Sequence, residues 1–285
     1  MNNRKAALTL QFFSILLLTY LVGCSYEQSP TLSNRSVLSY IMPSSASSYN
    51  AGEAHNSGCN YLIINCNPTY YASDPAQGFD SLMVLFARDS ITTSNGQFSS
   101  QILLDFDTTF DSVFSGEIPT THSWLQTSIN KLVTDGGMAN DEANFIRNAD
   151  SLLRLCSSFA ELNDTLTSLR SQYNGTMWTS SKTNGTVAYA YLSVADSSAT
   201  FWGPGGAGSN GWNGHLPKAQ KRGGVRPLST SLGSVAVADA VGFAIGFCTS
   251  VAIDYMNGGW TNVDWGKAFG KGLVSGVGAS LGALL

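Results

Sequence analysis

Residues 231–285 read SLGSVAVADAVGFAIGFCTSVAIDYMNGGWTNVDWGKAFGKGLVSGVGASLGALL, and the spacing of small residues in this stretch decides how the chain must fold. Gly242 and Gly246 lie four apart, as do Gly266 and Gly270, Gly272 and Gly276, and Gly278 and Gly282. Residues four apart share a helix face, and glycines there leave a smooth groove that lets a second helix approach closely. Asn257-Gly258-Gly259 interrupts the run. The stretch therefore predicts a glycine-rich helical hairpin, about residues 232–255 and 263–284.

Two environments suit such a hairpin. Asp239 interrupts its first half and Lys267 and Lys271 its second, leaving uncharged runs of 14 residues each, Ala240 to Ile253 and Gly272 to Leu285. That length fits a buried core hairpin better than a membrane span. A charge at mid-bilayer costs about 2.5–3.5 kcal/mol on insertion scales. The glycine spacing itself resembles the glycine-zipper segments of small bacteriocins and of pore-associated bacterial proteins. That resemblance implies a membrane-active tail, or one that self-associates or meets a protein partner.

Upstream, apolar residues recur at helical spacing. Asp74-Pro75 reads as a helix start, and Phe79, Leu82, Met83 and Phe86 mark one face. Ile102, Leu103, Phe106, Phe110 and Val113 repeat the pattern, then Trp124, Leu125, Ile129, Leu132 and Val133, stopped by Gly136-Gly137. From Asn140 to Tyr173 the stripe Ile146, Ala149, Leu152, Cys156, Phe159, Leu162, Leu166, Leu169 predicts one long amphipathic helix. Val187 to Trp202 fits either a strand or a helix; the helix is favoured because no second convincing strand exists to pair with it. The fold class expected is mainly α, a bundle of amphipathic helices with a C-terminal glycine-rich hairpin.

The opposite end carries an export signal. Arg4 and Lys5 precede an uncharged run from Ala6 to Val22, rich in Leu, Phe and Ile. Leu21-Val22-Gly23-Cys24 resembles the lipobox of bacterial lipoproteins, whose cysteine thiol takes a diacylglycerol after cleavage. This implies lipidation of Cys24 and attachment to a membrane, since each buried methylene adds roughly 0.8 kcal/mol and stable anchoring needs two or more chains. Ser25, with no Asp beside the cysteine, points to the outer membrane of the cell envelope. The organisation expected is a signal peptide (1–23), a Ser-rich tether (24–50), a helical body (51–202), a Gly/Pro-rich basic loop (203–230) with Lys218, Lys221, Arg222 and Arg226, and the hairpin (231–285).

Composition narrows the function. Charged residues make up 12%, about half the usual share. Without Arg4 and Lys5 the chain has 13 basic against 19 acidic residues, a net charge of −6. Residues 50–172 hold 14 acidic and 5 basic residues. A nucleic-acid partner is disfavoured, because phosphate binding needs the opposite balance. After Cys24, Cys59, Cys66, Cys156 and Cys248 allow three disulfide pairings. Each also sits among apolar residues, as small core residues do. On a helix Cys59 and Cys66 would stand roughly 10 Å apart, too far to bond.

The candidate chemistry is sparse. Within Ala51 to Leu62, a His55-Asn56-Ser57-Gly58 stretch resembles one in uncharacterised exported proteins of Bacteroidota. Some of those also carry Ser-rich helices ending in Phe-Trp or Tyr-Trp, as Ser197 to Trp202 does here, then a Gly/Ala-rich tail. That family supplies no activity to carry over. His55 and Asn56 are a candidate site, with helix capping or backbone satisfaction as the alternative. Asp105, Asp107 and Asp111 fail as a calcium loop, because Phe110 stands at the invariant glycine and Gly116 at the glutamate. Gly206-x-Gly208-x-x-Gly211 has neither a preceding buried strand nor a following helix. His55, His122 and His215 show no metal-ligand spacing. No cofactor, metal or catalytic set is implied, and the expectation is a non-enzymatic envelope lipoprotein with a structural or interaction role. A membrane-active, bacteriocin-like or pore-associated protein is the alternative.

Overall fold

The computed structural model describes residues 40–41, 51–65, 75–92, 98–208 and 232–284. The stretch read as a signal segment, Cys24, Cys66, Asp74, His215 and the basic cluster Lys218 to Arg226 lie outside these residues. Nine α-helices account for most of what is described. They are α1 (Ala51–Asn65), α2 (Pro75–Ser90), α3 (Ser100–Phe114), α4 (His122–Thr134), α5 (Asn140–Leu155), α6 (Phe159–Gly175), α7 (Thr186–Trp202), α8 (Leu232–Gly258) and α9 (Trp265–Leu284). A two-residue parallel pairing, Tyr40–Ile41 with Ile91–Thr92, joins the stretch read as tether to the end of α2. The fold is mainly α, as the periodicity predicts.

The hairpin is the centre of this bundle. α8 packs along α9 and also against α7, α4 and α5, while α9 packs on α3 and α1. At the turn, Gly259 at φ +72° starts a single 3-10 turn, Trp260–Asn262. Val235, Val241, Phe243, Cys248 and Val251 of α8 and Leu273, Val277 and Leu281 of α9 are buried.

The glycine pairs serve two faces, not one. Residues two apart on a helix point about 200° apart, so Gly272 and Gly276 face α8 while Gly270, Gly278 and Gly282 face α3. A Cβ at Gly272 would lie 3.0 Å from the Phe243 carbonyl oxygen, and one at Gly276 3.1 Å from that of Asp239. Reciprocally, a Cβ at Gly242 would stand 2.7 Å from the Ser275 carbonyl, and one at Gly246 2.6 Å from that of Lys271. On the other side, a Cβ at Gly278 meets the Phe110 carbonyl at 3.3 Å, one at Gly282 meets that of Phe114 at 3.1 Å, and one at Gly270 runs into the Phe106 ring. Gly266 is buried near the start of α9.

The helix faces fall where the spacing puts them, with three departures. The predicted long helix over residues 140–173 is two helices, broken at Cys156-Ser157-Ser158. Ser158 Oγ accepts from the Glu161 amide at 3.2 Å, and the Glu161 carboxylate accepts from the Ser157 amide at 2.7 Å. This reciprocal arrangement starts a new helix and turns Cys156 into extended backbone, ψ 122°. Trp124 and Leu152, expected in the core, are exposed. The buried face of α4 centres on Leu125, Ile129 and Leu132, and that of α5 on Ile146, Ala149 and Leu153. Trp124 and Leu152 each sit one residue round the helix from those faces.

Candidate functional site

α1 places His55 where α1, α7, α8 and α9 meet. The face that packs inward is made of small residues: Ala51, Gly52, Ala54, Gly58 and Cys59 are all buried. A Cβ at Gly52 would collide with the Ser193 carbonyl, and Ser193 Oγ accepts from the Gly52 amide at 3.0 Å. This close approach lets His55 be completely buried.

Its imidazole meets the one acidic residue that interrupts the first half of the hairpin. His55 Nε2 lies 3.5 Å from Asp239 Oδ2, 3.4 Å from Ser280 Oγ and 3.7 Å from Cys59 Sγ. Ser198 and Ser280 donate their hydroxyls to the two oxygens of Asp239, and Trp202 Nε1 donates at 3.2 Å. Burial pushes the Asp239 carboxyl up, and the adjacent imidazole and the three donors pull it back. On the other side, His55 Nδ1 faces Asn56 Oδ1 at 3.2 Å, while Asn56 Nδ2 donates to the Ser197 carbonyl at 2.7 Å.

A histidine, an aspartate and two serines in contact suggest a nucleophilic triad, but the geometry is different. In a triad the acid holds Nδ1 and the hydroxyl faces Nε2. Here Asp239 and Ser280 both lie on the Nε2 side, and both serine hydroxyls are spent on the carboxylate. His55, Asp239, Ser198 and Ser280 are all fully buried. The arrangement solves the cost of burying a charge by surrounding it with donors, and it ties four helices together. Asn56 behaves as a bridge from α1 to α7, in line with the backbone-satisfying role open to it from sequence.

Two further buried carboxylates pin helices. Glu142, in the first turn of α5, accepts from Thr183 Oγ1 (2.6 Å) and from the amides of Gly185 (2.9 Å), Val187 (2.8 Å) and Ala188 (3.2 Å). It satisfies the otherwise orphaned N-terminus of α7, which has no cap of its own. Burial raises its carboxyl and those hydrogen bonds lower it. Asp150, on the same helix, accepts from His122 Nδ1, Arg154 Nε (3.0 Å) and Tyr191 OH (3.3 Å).

The remaining sequence candidates separate. Asp105 pairs with Lys271 at 3.0 Å. Asp107 and Asp111 bring negative charge to Asp80, whose carboxyl is pushed up to about 7, first by burial. Gly206 and Gly208 pack against Phe201 and Trp202, the end of α7. Cys59 and Cys248 are buried free thiols, both raised by desolvation, and Cys156 is a free thiol at the helix break. Among the described residues no three His, Cys, Asp or Glu side chains come together so as to hold a metal ion.

Sequence reasoning singled out His55 and Asn56 but not their partners. Ser197 and Ser198 lie 141 residues or more further along the chain, and Asp239 and Ser280 further still. Asp239 carried a signal all the same, as a lone carboxylate in an apolar run must find donors. Against the outer edge of this junction, α1 and α7 leave an open depression of about 480 Å³ beside Asn56 and Asn60. No protein family, curated protein or solved structure matches this chain.

Proposed function

We propose that the chain is a lipid-anchored envelope protein with a non-enzymatic structural or interaction role, its helical bundle held at the outer membrane through Cys24. The observation that carries the non-enzymatic reading is the state of the His55–Asp239 junction. Its imidazole, carboxylate and hydroxyls are closed to solvent and consumed by one another, so their chemistry is structural. The anchor rests on Leu21-Val22-Gly23-Cys24 behind its uncharged run. Palmitate labelling in a bacterial host tests it: label should enter the protein and disappear in Cys24→Ser. Equal labelling of both forms would overturn the anchor.

One observation favours the second reading, a membrane-active hairpin. Val235–Gly258 is long and apolar enough to cross a bilayer by length and composition. Against it, most of that helix is buried within the bundle, and releasing the hairpin strips Asp239 of His55, Ser198 and Trp202. Release of dye from liposomes by the full chain would favour the second reading; intact liposomes favour the first.

A further inference from the structure

We propose that the junction of His55 and Asp239 is a proton-operated latch: one proton held on the imidazole docks α1 to the hairpin, and its loss releases α1. The protonation of the ring follows from its neighbours. Asn56 Nδ2 donates to the Ser197 carbonyl at 2.7 Å, and a carbonyl can only accept, so the orientation of this carboxamide is fixed. Its Oδ1 therefore faces His55 Nδ1 at 3.2 Å, and Nδ1 carries a hydrogen. In a neutral imidazole Nε2 then presents a bare lone pair. That lone pair would point at Asp239 Oδ2, 3.5 Å away, with both side chains wholly buried.

Among the described residues nothing else facing Nε2 resolves this. The ring is faced by Asn56 and Cys59 of its own helix, by Asp239 of α8, and by Ser280 and Gly276 of α9. Of these, Asp239 and Cys59 titrate. Ser198 and Trp202 of α7 reach the ring only through the carboxylate, and α2 meets α1 at Gly58 with Met83 and Phe86. Ser280, 3.4 Å from Nε2, directs its hydrogen to Asp239. The Cys59 thiol is a weak donor at 3.7 Å. A proton on Nε2 turns the same contact into a buried ion pair. It belongs on the ring rather than on the acid, because Ser198, Ser280 and Trp202 give the carboxylate three donors, which suit an anion. α1 is the element that can let go. Its inward face up to Cys59 includes Ala51, Gly52, Ala54 and Gly58, which interlock little, while the larger Leu62 and Ile63 lie beyond. Losing the proton leaves a buried carboxylate without its counter-charge, the costly state of such a pair.

The test uses the full-length chain carrying Cys24→Ser, labelled with nitrogen-15 at histidine. In two-bond proton–nitrogen correlation spectra at about pH 6, both ring nitrogens of His55 should carry protons. An unprotonated Nε2 there overturns the proposal. Hydrogen exchange read by mass spectrometry, corrected for the intrinsic rate, then follows the latch itself. The amides of residues 54–60 should exchange at least about tenfold faster at about pH 9.5 than at about pH 6, while those of α5 change less. His55→Gln offers an N–H that does not titrate, and Asp239→Asn removes the charge left behind. Each variant that folds should keep those amides equally protected at both pH values. Exchange in α1 that ignores pH in the parent chain, or a pH response that survives in either variant, overturns the latch.

Discussion

Replacing Gly246 by Ala should destabilise the protein, while the same change at Gly278 should not. Both glycines belong to spaced pairs in the hairpin, and in an isolated helix Ala is better than Gly by about 1 kcal/mol. At Gly246 the new methyl would stand 2.6 Å from the Lys271 carbonyl oxygen and would also press on the Ser275 side chain. A backbone carbonyl cannot rotate away, so α8 and α9 must separate, and overpacking of this kind costs about 1–3 kcal/mol. With the propensity gain subtracted, the net loss centres on about 1 kcal/mol and reaches about 2 at most. At Gly278 the nearest atom is the Phe110 carbonyl oxygen at 3.3 Å, a tight contact that a few tenths of an ångström relieve, and the propensity gain survives in part. The two variants should therefore differ by about 1–2 kcal/mol, or roughly 2–8 °C in Tm for a chain of this size. Thermal unfolding followed by far-ultraviolet circular dichroism, in a Cys24→Ser background, measures it. Equal melting points, or a more stable Gly246→Ala, would refute the close packing of α8 on α9.

Other outcomes follow from the buried carboxylates. The Asp80 carboxyl is raised from 3.8 to about 7 by burial, with Asp107 and Asp111 adding negative charge. A group raised in the folded state lends stability that is complete below its unfolded pKa and lost as pH rises through the folded one. Stability should thus fall between about pH 4 and pH 7 by about 2–4 kcal/mol, water at the edge of the α2–α3 contact screening part of the full shift. Asp80→Asn should flatten that slope in urea titrations at pH 4.5, near the lower end of the sensitive range, and at pH 8, about one unit above its upper end, whereas an unchanged slope would contradict the assignment. Glu142→Ala orphans the amides of Gly185, Val187 and Ala188 and should cost about 3 kcal/mol, with amide exchange speeding up first at the start of α7. Protection there equal to the unaltered protein's would argue that something else caps the helix.

Much of the architecture is legible in local sequence because helices declare themselves by period. The faces of α2 and α3, the stop at Gly136 and the turn at Gly258-Gly259 all follow from spacing and backbone freedom. The break inside the 140–173 stripe was legible too. Ser158-Phe159-Ala160-Glu161 is a capping-box pattern, but the apolar stripe runs through it without a missed beat. What local sequence does not carry is the pairing of distant polar groups. Glu142 looks like an acid placed to suit the start of its own helix, and only the fold shows it capping a helix 43 residues on. The glycine pairs read as one groove because only steps of four were compared. Steps of two, from Gly270 to Gly272 and from Gly276 to Gly278, already imply two opposite faces.

This distribution of roles gives the hairpin a definite place. It is the element on which the other helices pack, and its charged side chains find partners inside the bundle: Asp239 meets His55, Ser198, Ser280 and Trp202, Lys267 pairs with Asp254 and Lys271 with Asp105.

The most direct test places the chain with Cys24→Ser behind an ordinary cleavable signal and fractionates the envelope with a carbonate wash. The account predicts that the unlipidated protein moves to the soluble fraction, folded and monodisperse, while the unaltered chain stays in the membrane pellet. Retention of the Cys24→Ser form in that pellet without aggregation would contradict it, and would mean that the hairpin itself is embedded.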